Sequence, residues 1–445
     1  MNRRDFLKHS SLLTLSALSV PSLLLACRKK TLFEGKNYNG KVIIIGAGAA
    51  GLYAGYILKS KGIDFQIIEA SATYGGRLGK LTGFADFDID TGAQWLHGKN
   101  SILGDLIEKT NTTITKDESN AVYWFNNQLI NTLPKSTDIF EGKNLLDISY
   151  KDYAVQKGLG DDYKYIIENI AGDQGAAASR ISVFGNNQDE DNWSSGDNDF
   201  KFNETFYDLI DKQIAEHIKD RILLNTPITK INYEQGTVVI TDINNNNYSA
   251  EKIIITVPIT ILKNSYINFT PSLPSNKVSA FSKIGMDAGM KVFLKFSSKF
   301  YNENIIGGKY SAAYADDTLG KTGSSNILLA FVMGEQAEYL TSLGSDAAIT
   351  TTLLQELDAM YNGQATASFI ASSIHNWTNH PFIKGAYSYS TIGMGNARQI
   401  ASQTIDNKLY FAGEAMNING HHQTVHGACE TGYNAVIQIL KSVKK

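Results

Sequence analysis

Three glycines and one carboxylate carry the clearest chemistry in the chain. Gly46, Gly48 and Gly51 stand in Gly46-Ala47-Gly48-Ala49-Ala50-Gly51, directly after the apolar run Val42–Ile45. Glu69 closes a second apolar run roughly 20 residues on, the spacing of a dinucleotide fingerprint. A pyrophosphate must approach backbone N–H groups at a helix N-terminus, where the helix dipole favours an anion. Gly46 permits the turn, Gly48 leaves room for the phosphate, Gly51 allows close helix–strand packing, and Glu69 is placed to accept from an adenosine ribose. Tyr74-Gly75-Gly76-Arg77 adds two glycines before a guanidinium, a second backbone approach with Arg77 as a charged clamp. Asp88–Gly98 mixes Gly, Trp and His in a way that suits a ligand wall. No metal-ligand spacing occurs among the eight histidines, and there is no nucleophile elbow.

Positioning these groups takes a buried parallel strand, a tight turn, a helix and a second strand over Lys41–Glu69. Helical spacing follows at Ser101–Thr110, Tyr150–Ile170, Asn203–Ile218, Asp346–Tyr361 and His426–Leu440. Strand patterns fall at 122–125, 128–130, 222–230, 237–243, 252–257, 291–296, 327–332 and 408–412. Gln188–Phe200 reads as a polar loop with five acids, able to draw cations toward a site. The order implies an α/β nucleotide-binding domain built from separated segments, 40–100, 205–258 and 400–445. A second domain, 101–204 and 259–399, is inserted between them.

A chain of 445 residues, 43% apolar and 19% charged, has the composition of an ordinary globule. Its net charge of −3 offers no basic footprint for nucleic acid. Residues 1–27 read as an export segment: Arg3-Arg4 resembles a twin-arginine signal, and Leu24-Leu25-Ala26-Cys27 resembles a lipobox. Cleavage before Cys27 and lipidation of its thiol would leave a membrane-anchored protein on the periplasmic or cell-surface side, with 28–39 as tether and no other membrane contact. Cys429 is the only other cysteine, so the mature chain has no intramolecular disulfide to form.

Gly76-Arg77, Gln94-Trp95-Leu96-His97-Gly98, Thr256-Val257-Pro258, Lys291 and Tyr410-Phe411-Ala412-Gly413-Glu414 together resemble the flavin-dependent amine oxidases, in the family's order and across nearly all of 40–440. Trp95–Gly98 and Thr424-Val425-His426-Gly427-Ala428 are most similar to the polyamine oxidase branch. The resemblance implies a Rossmann-like FAD-binding domain of the GR2 type with an inserted α+β substrate domain, a mixed sheet plus helices. It implies FAD contacts at Gly46, Gly48, Ala49, Gly51, Glu69, Gly76, Arg77, Gln94, Trp95, Ile228, Trp377, Gly413, Glu414, Val425 and Ala428. Ile228 would touch adenine through its backbone, Glu414 the ribityl or phosphate portion, and Val425 the pyrimidine end.

Strand alternation alone puts Lys291, Phe293 and Lys295 on one face, which makes Lys291 a lysine on a half-exposed strand. The resemblance instead implies that Lys291 holds a water at flavin N5. It likewise implies that His97 stands near the substrate amine, that Tyr387 forms an aromatic wall, with Tyr389 a competitor, and that Thr424 replaces a second cage tyrosine. Ala386 stands where monoamine oxidases carry the cysteine that tethers the flavin, so FAD is expected to be non-covalent. The expected reaction is oxidation of a primary or secondary amine, with a polyamine foremost, by hydride transfer to FAD and reduction of O2 to peroxide. An amino-acid oxidase would need an arginine where Gln94-Trp95 stands. A dehydrogenase with another acceptor and a flavin-binding lipoprotein without turnover are the remaining alternatives, and the export-type N-terminus sets the chain apart from histone-tail demethylation.

Overall fold

A computed structural model describes residues 38–442. The expected export signal, Cys27 and nearly all of the tether lie outside the described residues.

A five-stranded parallel sheet runs in the order Ile222–Leu223, Phe65–Ile68, Val42–Ile45, Lys252–Ile255, Leu409–Phe411. Val42 stands level with Phe65 on one side and Lys252 on the other. The continuous Val/Ile composition reflects burial on both faces. Val42 and Ile44 enter one core, with Leu52, Leu58 and the C-terminal helix. Ile43 and Ile45 enter the other, with Ile253, Ile255 and Phe411. Helix Ala49–Ser60 is the crossover, starting from Gly48 with no side-chain cap. Three distant stretches of chain thus make one sheet.

The second large sheet has seven strands, ordered Phe369–Asn376, Gly289–Phe296, Asn326–Met333, Ala313–Asp316, Asn304–Ile306, Ala121–Phe125, Gln128–Ile130. Gly289–Phe296 is an inner strand, with Lys291 paired to Phe331 and His375. One of its faces packs on helix Asp346–Tyr361, and the other, through Phe293, meets Ile89, Phe84 and Phe87. The half-exposed reading of Lys291 is therefore wrong: the residue is 3% exposed, because a second layer covers the face that alternation leaves polar. A smaller sheet places Trp95–His97 beside Asp199–Phe202.

Other segments also depart from expectation. Gln188–Phe200 is not a continuous loop: helix Val183–Asp191, capped by Ser182, occupies its start and strand Asp199–Phe202 its end. Tyr150–Ile170 is broken at Gly158, whose φ of +78° ends the first helix, with Leu159 N–H donating to Ala154 O. Asn203–Ile218 shortens to Phe206–Gln213 and one 3-10 turn, Ala215–His217.

Candidate active site

One cavity of about 540 Å³ runs from Gly48 and Glu69 to Lys291 and Tyr387. At its first end the glycines divide by role. A Cβ at Gly51 would lie 2.0 Å from Gly46 O, so that glycine is required by helix–strand packing. A Cβ at Gly48 would meet nothing nearer than Gly76 Cα at 3.9 Å, so the space before the helix is open. The helix N-terminus leaves backbone N–H groups for an anion there. Glu69 is buried, its oxygens accepting from Ala47 N–H at 2.6 Å and Ser71 N–H at 2.8 Å. Ile228, after Thr226-Pro227, and Ala49 complete this end.

Midway, Arg77 and Glu414 meet. The guanidinium donates to Ala386 O at 2.8 Å and to Glu414 Oε1 at 3.0 Å. Glu414 Oε2 accepts from the Ser388 hydroxyl at 2.7 Å and Gln423 N–H at 2.9 Å. Burial would raise the Glu414 carboxyl, but Arg77, Ser388 and Arg398 outweigh it and hold the group below the ordinary glutamate range. The expected clamp is thus an ion pair in the wall. Gly413, with φ of +124°, donates to Thr431 Oγ1 at 2.9 Å, and Val425 and Ala428 on the C-terminal helix line the same wall.

At the far end, Lys291 Nζ donates to Asp90 O at 3.0 Å and to Gln94 Oε1, and lies 5.7 Å from the Trp95 ring centre. Burial pushes its ammonium below the ordinary lysine value, with the Asp317 and Asp90 carboxylates pulling the other way. Trp95 Nε1 donates to Asp117 at 2.9 Å, and its ring meets Phe331 edge-on. Trp377 donates to Thr91 O at 3.0 Å. The Tyr387 hydroxyl donates to Gly172 O and Asp173 O at 3.1 and 3.2 Å, which pins the ring to the end of helix Lys164–Asp173. Tyr389 does not line the cavity; its hydroxyl is bonded to Asp287 behind the wall. The Thr424 hydroxyl accepts from Gly427 N–H at 2.9 Å and donates to His421 O at 2.7 Å, so it caps the C-terminal helix. His97 Nδ1 stands 2.8 Å from Asp199 Oδ1. Gly76 and Gln94 also line the cavity, so every residue expected at the site except Gly51 faces one continuous space.

Four partners were not read from the sequence. Asp199 fixes His97, and only its place in the five-acid run hinted at use. Ser388 and Arg398 support Glu414, and Asp317 holds Gln94 through a 3.0 Å bond from Nε2. No local motif marks these three.

Residues 201–440 match the family described as flavin containing amine oxidoreductase, and 44–110 match an NAD(P)-binding Rossmann-like domain. The chain is 26% identical to human lysine-specific histone demethylase 2 over 91% of its own length and 54% of that protein's, so it spans about half of that relative. It is 26% identical to probable polyamine oxidase 4 of Arabidopsis thaliana, over 90% of this chain and 86% of that one. The fold superposes on cyclohexylamine oxidase from Brevibacterium oxydans IH-35A with a TM-score of 0.76 at 18% identity, covering 92% and 100% of the two chains. The family match over more than half the chain, set beside the uncapped helix, the open space at Gly48 and the buried Glu69, places this protein among the flavin-containing amine oxidoreductases, with FAD as its cofactor.

Proposed function

We propose that the enzyme oxidises a primary or secondary amine at the Lys291 end of the cavity, and that its substrate class is the polyamines. One observation carries this reading: the carboxylates of Asp117, Glu141, Asp173, Glu190 and Asp199 line the cavity that the apolar and aromatic walls of Phe331, Trp377 and Tyr387 enclose. Such a lining suits a chain of ammonium groups with one amine presented to an apolar pocket. The similarity to a probable polyamine oxidase supports it.

FAD, when bound, would supply the acceptor for a hydride from the carbon beside nitrogen and the route by which its electrons reach O2 to give peroxide. The chain's part is to prepare the amine. Only a neutral nitrogen has the lone pair that stabilises the developing iminium, whereas an alkylammonium has a pKa of about 10.4 in water. Apolar walls disfavour that charge. With Nδ1–H donating to Asp199, His97 keeps its lone pair on Nε2 and is the base that takes the amine proton. Lys291 provides a buried cation, which favours negative charge where electrons arrive and holds a water there. Tyr387 is a wall fixed by two backbone carbonyls, and Thr424 leaves the pocket open where a larger residue would close it. Water then hydrolyses the imine to an aldehyde, releasing a smaller amine from a secondary amine and ammonia from a primary one. Ala386, before Tyr387, offers no thiol, which supports non-covalent FAD.

The test is peroxide release from the flavin-loaded protein with spermine, spermidine, their acetylated forms, monoamines, amino acids and a methylated lysine peptide. Turnover of polyamines ahead of monoamines is expected, and no turnover of any amine sinks the reading. Flavin reoxidation in air too slow for turnover identifies a dehydrogenase. Export by the twin-arginine route and lipidation of Cys27 are part of the same proposal, supported by the N-terminal sequence alone. Mass analysis of the Cys27 peptide from native membranes checks them.

A further inference from the structure

Lys291 is a buried cation whose direct acceptors, Asp90 O and Gln94 Oε1, are both neutral. Its counter-charge lies one step behind. Gln94 is 3% exposed, and its Nε2 donates to Asp317 Oδ1 at 3.0 Å. The same oxygen accepts from Lys201 Nζ at 2.9 Å, in an ion pair whose side chains are both 4% exposed. Lys321 and the carboxyl of Asp90 complete the charged neighbours, and His375 stands beside Lys291 on the next strand. The Asp90 carboxylate is turned elsewhere, accepting from Phe206 N–H at 2.9 Å at the start of helix Phe206–Gln213.

An amide has two faces, and only its carbonyl oxygen can meet an ammonium. Asp317, an acceptor, selects the orientation in which Gln94 turns its NH2 away from Lys291. Resting on the placement of Lys291 beside the flavin, we propose that Asp317 is a positioning residue: through Gln94 it holds the Lys291 ammonium in place and supplies its counter-charge. Without that carboxylate, Gln94 is free to turn its NH2 toward Lys291, and two buried lysines share too little negative charge. An unpaired buried ammonium then sheds its proton or withdraws.

The sign of one measurement separates this role from that of a bystander. Asp317 does not line the cavity, whereas Lys291 does. Removing a bystander carboxylate makes the surroundings of the flavin more positive and raises its two-electron midpoint potential. Removing a positioning carboxylate disables the nearer cation and lowers it. Asp317→Asn in the flavin-loaded protein is therefore expected to lower the potential. The expected size is about tenfold in the oxidised-to-reduced ratio at fixed poise, ~30 mV for a two-electron couple. Gln94→Leu should lower it similarly, and Asp317→Asn added to Gln94→Leu should lower it no further, because the two act through one chain. An unchanged or raised potential in Asp317→Asn, with FAD bound, overturns the inference. So does an additive drop in the double variant. Should Asp317→Asn fail to fold, Asp317→Ala decides: a lowered potential with FAD bound supports the inference, and an unchanged or raised one overturns it. Lys291→Met is the control, since an unchanged potential there removes Lys291 from the flavin and with it the reading beneath. A drop in Lys291→Met without one in Asp317→Asn removes the Asp317 inference only.

Discussion

Gly48 and Gly51 sit three residues apart in one fingerprint, and their surroundings give them opposite failure modes. An alanine at 51 would drive its Cβ to 2.0 Å from Gly46 O, so helix and strand must separate. An alanine at 48 has ordinary room and a backbone φ of −78° that any residue adopts. Gly48→Ala should keep the melting temperature of the cofactor-free protein yet lose FAD on gel filtration, as read from flavin absorbance. Gly51→Ala should lower both. Equal loss of apoprotein stability in the two variants would refute the division. Glu414 gives a second residue-scale expectation. Its carboxyl is held low in the folded state, so the stability it brings is complete above the ordinary glutamate value of about 4.3 and disappears as pH falls through the folded value. Glu414→Gln should destabilise by about 1–3 kcal/mol at neutral pH. In urea titrations the gap to wild type should narrow in acid; a gap constant down to pH 3 contradicts the pairing. The turn at Gly46–Gly51 and the strand end at Glu69 were legible because strand, glycine turn and helix form a local pattern. The Arg77–Glu414 pair was not, since its members are 337 positions apart and each alone reads as a ligand contact.

Among elements, the C-terminal helix Val425–Ser442 shows how packing can depend on one missing methyl. A Cβ at Gly432 would lie 2.2 Å from Ala50 O in the first helix, and Cys429 Sγ approaches Ala49 O at 3.8 Å. This close crossing joins the last element of the chain to the helix that follows the Gly46–Gly48 turn. Gly432→Ala should cost about 1–3 kcal/mol in chemical denaturation, and should loosen FAD as well, because the strained crossing adjoins the cofactor's end. Unaltered stability would mean that the helices can part freely. The helix itself was readable from its small-residue first turn and 3.6-residue period, as Asp346–Tyr361 was. Val183–Asp191 was not readable, since its acids and amides mimic a loop and Ser182 is its only local start signal. The half-exposed reading of Lys291 failed for another reason: alternation reports one strand's faces and is blind to the layer laid over them.

For the whole molecule, the interleaving of sheet strands from three distant regions places an acid-lined cavity in a chain of net charge only −3. The helix misread as loop contributes Glu190 to that lining, and the end of helix Lys164–Asp173 contributes Asp173. A cavity walled by low-dielectric protein focuses the field of such charges outward and raises the local concentration of cations. The effect scales with the charge of the substrate and is screened over about 10 Å at 0.1 M salt. If the acids serve polyamines, kcat/KM for spermidine should fall several-fold between about 20 mM and 0.5 M salt, while that for a monoamine of similar length changes little. Glu190→Gln should flatten the spermidine slope and leave kcat for the monoamine unchanged, since the residue acts before the nitrogen reaches His97. Steady-state peroxide release across a salt series separates the cases. Parallel salt slopes for the two amines would mean that the carboxylates shape the cavity without selecting its substrate. The polyamine assignment would then fall back to oxidation of amines without regard to their charge.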